Sequence, residues 1–359
     1  MPALNDVCIV GAGPAGLAVA IAAASRGMNV RVVDAAPEGP VDKACGEGLL
    51  PDALACLERL GVRGLRGRAF AGIRFHDAKR TVEARFPGPT GLGVRRTELH
   101  RAMLERAAEL GVAVEWNKPF RGLDGAAFTI GADGGQSRVR AVSGLGEGRV
   151  TSRRIGLRQH FALAPWSDFV EVFWTGGAQA YVTPVADDQV GIAFLSDRKF
   201  SSVAAALQHF PELQKHLAGA PPRSTPRGAV TVTRRLPRVT TARVALAGDA
   251  SGAVDAITGE GMNLCFRQAE ALAGALASGD LRAYERAHIR SSRTARVMSS
   301  SLLFMGRSNS GRAGSMQMLS CVPWLFPSLL KIHIGHRAAK HPASPQGTAL
   351  PPAERARLA

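Results

Sequence analysis

The first thirty residues set one pattern and the middle of the chain another. Asp6 to Ala35, DVCIVGAGPAGLAVAIAAASRGMNVRVVDA, reads as a buried strand, a glycine turn, an Ala-rich helix and a second buried strand, which predicts a βαβ unit. A second helix is predicted in LGVRRTELHRAMLERAAELGVAVEW, where Leu99, Met103, Ala107 and Leu110 share a face and Gly111 supplies the stop. Short strand-like pieces continue to AAFTIGADGGQSRVR. From about residue 155 to 241 apolar and polar positions alternate, as in DFVEVFWTGGAQAYVTPVADDQVGIAFL, which predicts antiparallel sheet. One helix, FSSVAAALQHFPELQKHL, is expected to interrupt it. After Arg243 the parallel-type strand VALAG returns, so the first layer is completed from both sides of an insert.

The expected fold class is therefore α/β, with a Rossmann-like domain, an inserted antiparallel-sheet domain and a C-terminal helical segment. The boundaries read from the sequence are 1–66, 93–154 and 242–300 for the nucleotide-binding domain and 67–92 and 155–241 for the insert. Residues 301–340 form the helical segment, in which the apolar stretch from Met316 to Gly335, broken by Pro323 and Pro327, is expected to pack as a helix pair over the insert. The Pro- and Ala-rich end at 341–359 is expected to be disordered.

Composition narrows the setting. With 359 residues, 46% hydrophobic and 21% charged, the chain has material for two domains. Five cysteines without a CxxC pair suggest neither a disulfide framework nor a zinc site, and no metal is expected. The N-terminal residues carry no export pattern and no apolar run is long enough to span a membrane, so a cytoplasmic protein is expected. The net charge is +16, and most of it lies after Arg282. Arg282, Arg286, Arg290, Arg293 and Arg296 recur at helical spacing and share one face. That face is either simply solvated or meets anionic lipid, giving peripheral contact with a membrane surface. Aromatic residues are 6% and are not interleaved with it, which argues against nucleic acid.

The candidate chemistry starts at Gly11, Gly13, Pro14, Ala15 and Gly16. In the G-x-G-x-x-G turn, Gly11 permits the bend, Gly13 lets backbone approach a pyrophosphate, and Gly16 lets helix and strand pack closely. The helix N-terminus presents its positive dipole end to phosphate. Asp34, closing the second strand, is placed to hold a ribose hydroxyl.

Together with this turn, IGADGGQSRVR (Ile130 to Arg140) and GDASGAVDAITGEGMN (Gly248 to Asn263) resemble the three FAD signatures of the para-hydroxybenzoate hydroxylase-type flavoproteins, the group A flavoprotein monooxygenase superfamily with a GR2-type FAD-binding domain. DKACGEGLLPDAL (Asp42 to Leu54) resembles the geranylgeranyl-reductase-like and halogenase-like branch. The resemblance covers roughly Asp6 to Leu276 and weakens across the insert.

It implies FAD as cofactor and NAD(P)H as a transient electron donor. Gly248 and Asp249 would meet the ribityl chain, and Gly259, Gly261, Met262 and Asn263 would bring a helix N-terminus to the flavin pyrimidine edge. Lys43, Cys45, Gly46 and Gly48 would cover the flavin. Arg96 would reach the phosphate region, or is a helix-surface charge. Asp133 would stand beside FAD, or is a turn residue. Cys45 and Tyr181 are the candidates for direct chemistry or substrate contact, against the plainer readings of a small buried thiol and a half-buried sheet aromatic. Neither His160 nor His209 is assigned a role, and no catalytic acid or base is named. Where most members have proline this chain has Ala256, which leaves the ring position open.

Two activities and one non-catalytic reading remain. The favoured one is an NAD(P)H-dependent monooxygenase acting through C4a-peroxyflavin on an aromatic, quinone or polyketide-like molecule. The second is a reductase of an isoprenoid or other alkene. The third is a non-catalytic FAD-holding or electron-passing protein. Halogenation is disfavoured, because Trp116, Trp166, Trp174 and Trp324 do not form the required Trp-x-Trp pair.

Overall fold

The computed structural model describes residues 6–123 and 125–334, so the tail expected at 341–359 and the end of the 301–340 segment lie outside the described residues. Strand β1 (Asp6–Val10), helix α1 (Pro14–Ala24) and strand β2 (Asn29–Val33) open the fold. Strand β3 (Gly48–Leu49), helix α2 (Pro51–Arg59) and strands β4 (Arg68–Phe70), β5 (Gly72–His76), β6 (Thr81–Arg85) and β7 (Gly91–Gly93) follow. Helix α3 (Arg96–Glu109), strands β8 (Ala113–Glu115) and β9 (Phe128–Gly131) and helix α4 (Arg138–Val142) return to the first layer. Four long strands come next: β10 (Arg149–Ala162), β11 (Phe169–Thr175), β12 (Ala178–Ala186) and β13 (Gln189–Ser196). Helices α5 (Val203–Leu207) and α6 (Pro211–His216) precede strand β14 (Arg227–Arg235). Strand β15 (Val244–Leu246) leads through two 3-10 turns into helices α7 (Gly261–Ser278), α8 (Leu281–Arg307), α9 (Asn309–Cys321) and α10 (Leu325–His333).

Five parallel strands, in the order β15-β9-β1-β2-β8, form the first sheet. Val10 pairs with both Val33 and Gly131, and Leu246 with Gly131, so the carboxyl ends of these strands share one edge. That edge is where open α/β sheets bind ligands. Helix α1 is apolar all round, with Leu17, Ala18, Val19, Ala20 and Ile21 fully buried, because the sheet, α3 and α7 surround it.

The second sheet runs β14-β10-β13-β12-β11-β5-β6, and a small sheet β3-β7-β4 lies beside it. All pairings of the second sheet are antiparallel except β11 with β5. The expectation of a purely antiparallel insert is corrected there. Between β5 and β11 the chain returns to the first layer, and such a long connection permits a parallel partner where a hairpin would not. Helices α9 and α10 cover one face, where Phe75 meets Phe326 at 4.8 Å and Trp174 at 5.6 Å between ring centroids. Helices α5 and α6 cover the other over Phe194, Phe210 and Leu213.

Three further expectations shift. The single helix expected near residues 200–217 is two, because Pro211 cannot donate to a continuing helix and starts the second. Strand β10 begins at Arg149, ahead of the expected insert boundary at 155, since its pairing with β14 extends to Arg149 and Arg235. Helix α8 runs through the boundary at 300 to Arg307 without a break.

Candidate active site

One cavity of about 2050 Å³ runs from the carboxyl edge of the parallel sheet to the space between the second sheet and helices α8, α9 and α10. That volume exceeds what one small-molecule site needs, so it has room for an extended cofactor and a second ligand.

The glycine turn forms its first wall. Gly11 has φ +107°, and a Cβ there would stand 2.5 Å from the Ala132 carbonyl oxygen. A Cβ on Gly16 would stand 1.8 Å from the Gly11 oxygen, so both glycines are required by backbone contact. Gly13, by contrast, has no atom within 4 Å of a Cβ position and faces open space, with Pro14 and Ala15 beside it at the start of α1. Asp34 lines the cavity and also fixes the turn, its carboxylate accepting from the N–H of Ala12 at 2.6 Å and of Ala36 at 2.7 Å. His100 ties this turn to the next loop. Its Nδ1 accepts from Val41 N–H at 3.2 Å, so Nε2 carries the proton and donates to the Ala12 oxygen at 2.6 Å. Burial lowers the pKa of this neutral ring.

Several polar groups in the wall lack protein partners. Asp133 caps α4 by accepting from Arg138 N–H at 2.7 Å through Oδ2, while its buried Oδ1 has no partner. Arg96 has a buried Nε without a partner. Asp249 is exposed in the wall, next to Gly248, whose φ of +58° and close approach to Ala15 exclude a larger residue. Gly259 and Gly261 have open space at their Cβ positions, and Met262 lies beside them at the N-terminus of α7. A pyrophosphate-sized opening, two helix N-termini and unsatisfied hydrogen-bonding groups along one cavity fit a dinucleotide with a flat ring.

Asn263 stands in the first turn of α7, as the sequence leads one to expect. Its side chain turns away from the cavity and donates to Asp52, because the latter, on α2, is buried beside it with Arg267. Tyr181 does line the cavity, but its hydroxyl donates to the Ile257 carbonyl at 3.0 Å and burial pushes its pKa up, so it holds the turn rather than acting as an acid. The missing proline at Ala256 is offset by Asp255. Its carboxylate accepts from Ile257 N–H at 3.1 Å and meets buried Arg154 at 3.5 Å.

Sequence reasoning missed the anchor of the loop that carries Lys43, Cys45 and Gly46. Lys43, Cys45, Gly46 and Gly48 all line the cavity, and the loop is fastened by Glu47, which is 1% exposed with φ +60°. Its Oε1 accepts from Arg96 N–H at 2.9 Å, and its Oε2 accepts from His160 Nε2 at 2.6 Å. His160 Nδ1 faces Arg158, which can only donate, so the Nε2 proton is the one shared with Glu47. Arg158, also 1% exposed, pairs with Asp42, and Arg227 meets the same carboxylate at 3.0 Å. Charged residues inside the otherwise apolar strand IGLRQHFA were the available signal, since an inward charge requires a partner.

The far half of the cavity is apolar. Phe70, Phe75, Val172, Trp174, Leu319 and Phe326 are among its walls, and Val297, Phe304, Met318 and Ile332 stand exposed at its rim on the C-terminal helices.

Residues 5–125 match the FAD binding domain family. The chain is 30% identical over 322 residues to a menaquinone reductase of Mycolicibacterium smegmatis, covering 79% of this chain and 78% of the relative. It is 28% identical to the ubiquinone hydroxylase UbiL of Rhodospirillum rubrum, covering 75% and 71%. Among solved structures, a flavoprotein/dehydrogenase of Cytophaga hutchinsonii shares the fold with a TM-score of 0.78 at 16% identity, covering 92% of this chain and 93% of that one.

Proposed function

This chain belongs to the FAD-dependent oxidoreductases of the para-hydroxybenzoate hydroxylase type, and from that premise we propose that it reduces a carbon–carbon double bond in an isoprenoid-bearing lipid such as an isoprenoid quinone. The observation that carries this reading is the apolar half of the cavity, walled by Phe75, Trp174 and Phe326 and open between the C-terminal helices. Such walls suit a hydrocarbon tail, and the similarity to a menaquinone reductase supports the same substrate class. They move the balance away from hydroxylation, which the sequence favoured.

FAD, when bound, supplies hydride transfer, and NAD(P)H is the proposed donor that reloads it. The chain's own residues bind and orient. Gly11, Gly13, Pro14, Ala15 and Gly16 with the α1 N-terminus take the pyrophosphate, Asp34 a ribose, and Arg96, Asp133, Gly248 and Asp249 the linking hydroxyls and phosphates. Gly259, Gly261 and Met262 take the ring edge under the loop of Lys43, Cys45 and Gly46. In this division the nucleotide domain is split in sequence around the substrate-side sheet.

Hydroxylation is the second reading, favoured by the similarity to a ubiquinone hydroxylase. One experiment separates the two. The FAD-loaded protein is reduced with NADPH under argon and mixed with an isoprenoid quinone. Reoxidation of the flavin without oxygen, with a product whose tail stays two hydrogens heavier after its ring has been reoxidised to the quinone, is expected. Turnover only with oxygen, and a product one oxygen heavier, selects the hydroxylase. Flavin that NAD(P)H never bleaches selects an FAD-holding protein.

The same reading places the cavity mouth at a bilayer. No helix among the described residues is long and apolar enough to cross a membrane. Arg282, Arg286, Arg290 and Arg293 are exposed along α8, and Phe304 and Trp324 stand 63% and 68% exposed nearby in the chain. Attraction of such arginines to anionic lipid is screened by salt. Co-sedimentation with anionic vesicles at low salt, lost at high salt, is the expected result, and no binding at low salt ends this part.

A further inference from the structure

Hydride transfer needs the reacting atoms about 3–3.5 Å apart, and a misplacement of about 1 Å costs about 100-fold in rate. The gap between the turn that takes the ring edge and the sheet opposite it must therefore be held. Residues 255–259 line the cavity on the turn side, and Tyr181, Ala193 and Leu195 of β12 and β13 line it on the sheet side. Two contacts cross from one to the other.

The first is the Tyr181 hydroxyl, which donates to the Ile257 carbonyl at 3.0 Å. The second is ionic. Asp255, 2% exposed, caps the short 3-10 turn Ala256–Thr258, and Arg154, 6% exposed, stands on β10. Arg154 Nη1 lies 3.5 Å from Asp255 Oδ1, while Nη2 donates to Gln179 Oε1 at 2.7 Å and to the Leu195 carbonyl at 3.4 Å. One guanidinium thus joins β12, β13 and the turn. The carboxylate is satisfied from the same sheet. Its Oδ2 accepts from the hydroxyls of Ser152 at 3.2 Å and Thr233 at 3.3 Å, and its Oδ1 from Ile257 N–H at 3.1 Å.

A neutral asparagine would cap such a turn equally well, so the charge at 255 answers to Arg154, which meets no other carboxylate among the described residues. A buried ion pair adds little stability over apolar residues of the same volume, whereas its directional bonds favour one arrangement. The neighbouring pair of Glu260 with His333 of α10, at 3.5 Å, ties the turn to the last helix and not to the sheet. We propose that Arg154 and Asp255 are positioning residues for hydride transfer, holding the 255–259 turn at one distance from the sheet and so setting the slot in which ring and double bond meet. Neither side chain touches the substrate. This deepens the reductase reading and rests on it.

A double-substitution cycle on the FAD-loaded protein tests the pair, with Arg154→Gln, Asp255→Asn and the two together. Asparagine can still cap Ile257, so what is lost is the ion pair. Each protein is reduced with NADPH under argon and mixed with an isoprenoid quinone, and tail reduction is followed by the mass of the ring-reoxidised product. The limiting rate is expected to fall about 100-fold in each single variant and no further in the double one. The half-saturating quinone concentration is expected to stay unchanged, because the apolar walls that take the tail are intact. Visible circular dichroism of the bound flavin, which reads the asymmetry around the ring, is expected to change alike in all three. Wild-type rates and dichroism in folded variants overturn the proposal, and so does a loss in the double variant equal to the product of the single losses. A raised half-saturating concentration at an unchanged limiting rate also overturns it. Should a single variant not fold because one charge is left buried alone, the neutral double variant serves, and its limiting rate and dichroism decide. If the wild type reduces no tail, the reductase reading fails, and the dichroism still decides whether the pair positions the flavin.

Discussion

Gly16→Ala is expected to yield a protein without bound flavin. The added methyl carbon would stand 1.8 Å from the Gly11 carbonyl oxygen, and both partners are backbone. A flexible side chain could swing aside, but here α1 must lift from the turn. Gly11 cannot yield in return, because it is itself held at φ +107° against Ala132. Overpacking of this kind costs about 3 kcal/mol, which converts to about a 100-fold loss of FAD affinity if the turn distorts to accommodate it. Fluorescence titration with FAD reads the affinity, and thermal unfolding shows whether the rest of the sheet survives. Gly13→Ala is the informative control. Its methyl meets no protein atom, so the apoprotein should fold normally while cofactor binding weakens through lost space alone. Equal FAD affinity in Gly16→Ala and wild type would refute the account of the turn.

The second large effect is expected at Glu47. Removing its carboxylate leaves His160 and the Arg96 N–H inside the protein without their acceptor and takes a charge partner from Arg158, which keeps Asp42. Breaking a buried charge network by deleting one partner costs about 3–5 kcal/mol. The loop of Lys43, Cys45 and Gly46 is then tied by fewer contacts, of which Thr183 to the Gly46 carbonyl at 2.7 Å is one. Glu47→Ala should therefore lower the unfolding temperature and accelerate FAD dissociation together. Glu47→Gln retains an acceptor oxygen and should do less of both. Glu47→Gly separates the contributions. It relieves the φ of +60° that a side chain tolerates poorly, yet deletes the anchor, and net destabilisation is expected because the anchor outweighs the relief. A stabilised Glu47→Gly would mean that the carboxylate contributes little.

How much of this was legible in advance depends on how far apart the interacting residues lie. The βαβ unit, the stop of α3 at Gly111, and the return of a parallel strand at Val244 follow from apolar periodicity and glycine placement, which act over a few residues. The dinucleotide-binding turn was equally accessible, because the close approach between Gly11 and Gly16 is made within one turn and leaves a local signature. The antiparallel insert was legible as a period-two pattern, but its one parallel pairing, β5 with β11, was not: alternation states which face is buried and leaves the neighbouring strand unspecified. Asn263 shows the same limit, since its turn toward Asp52 depends on where α2 packs.

By itself, then, the sequence determined the nucleotide-binding layer, through short-range backbone geometry that only glycine and a few acids satisfy, and its resemblance to a flavoprotein family supplied FAD as the cofactor. The tertiary structure alone decided which side chains meet around the cavity. Glu47 reaches His160 across 113 positions, and Glu260 meets His333 only because the last helix folds back over the flavin-side turn. A group's partners and its proton affinity are set by what buries it, and burial is contributed by segments remote in the chain.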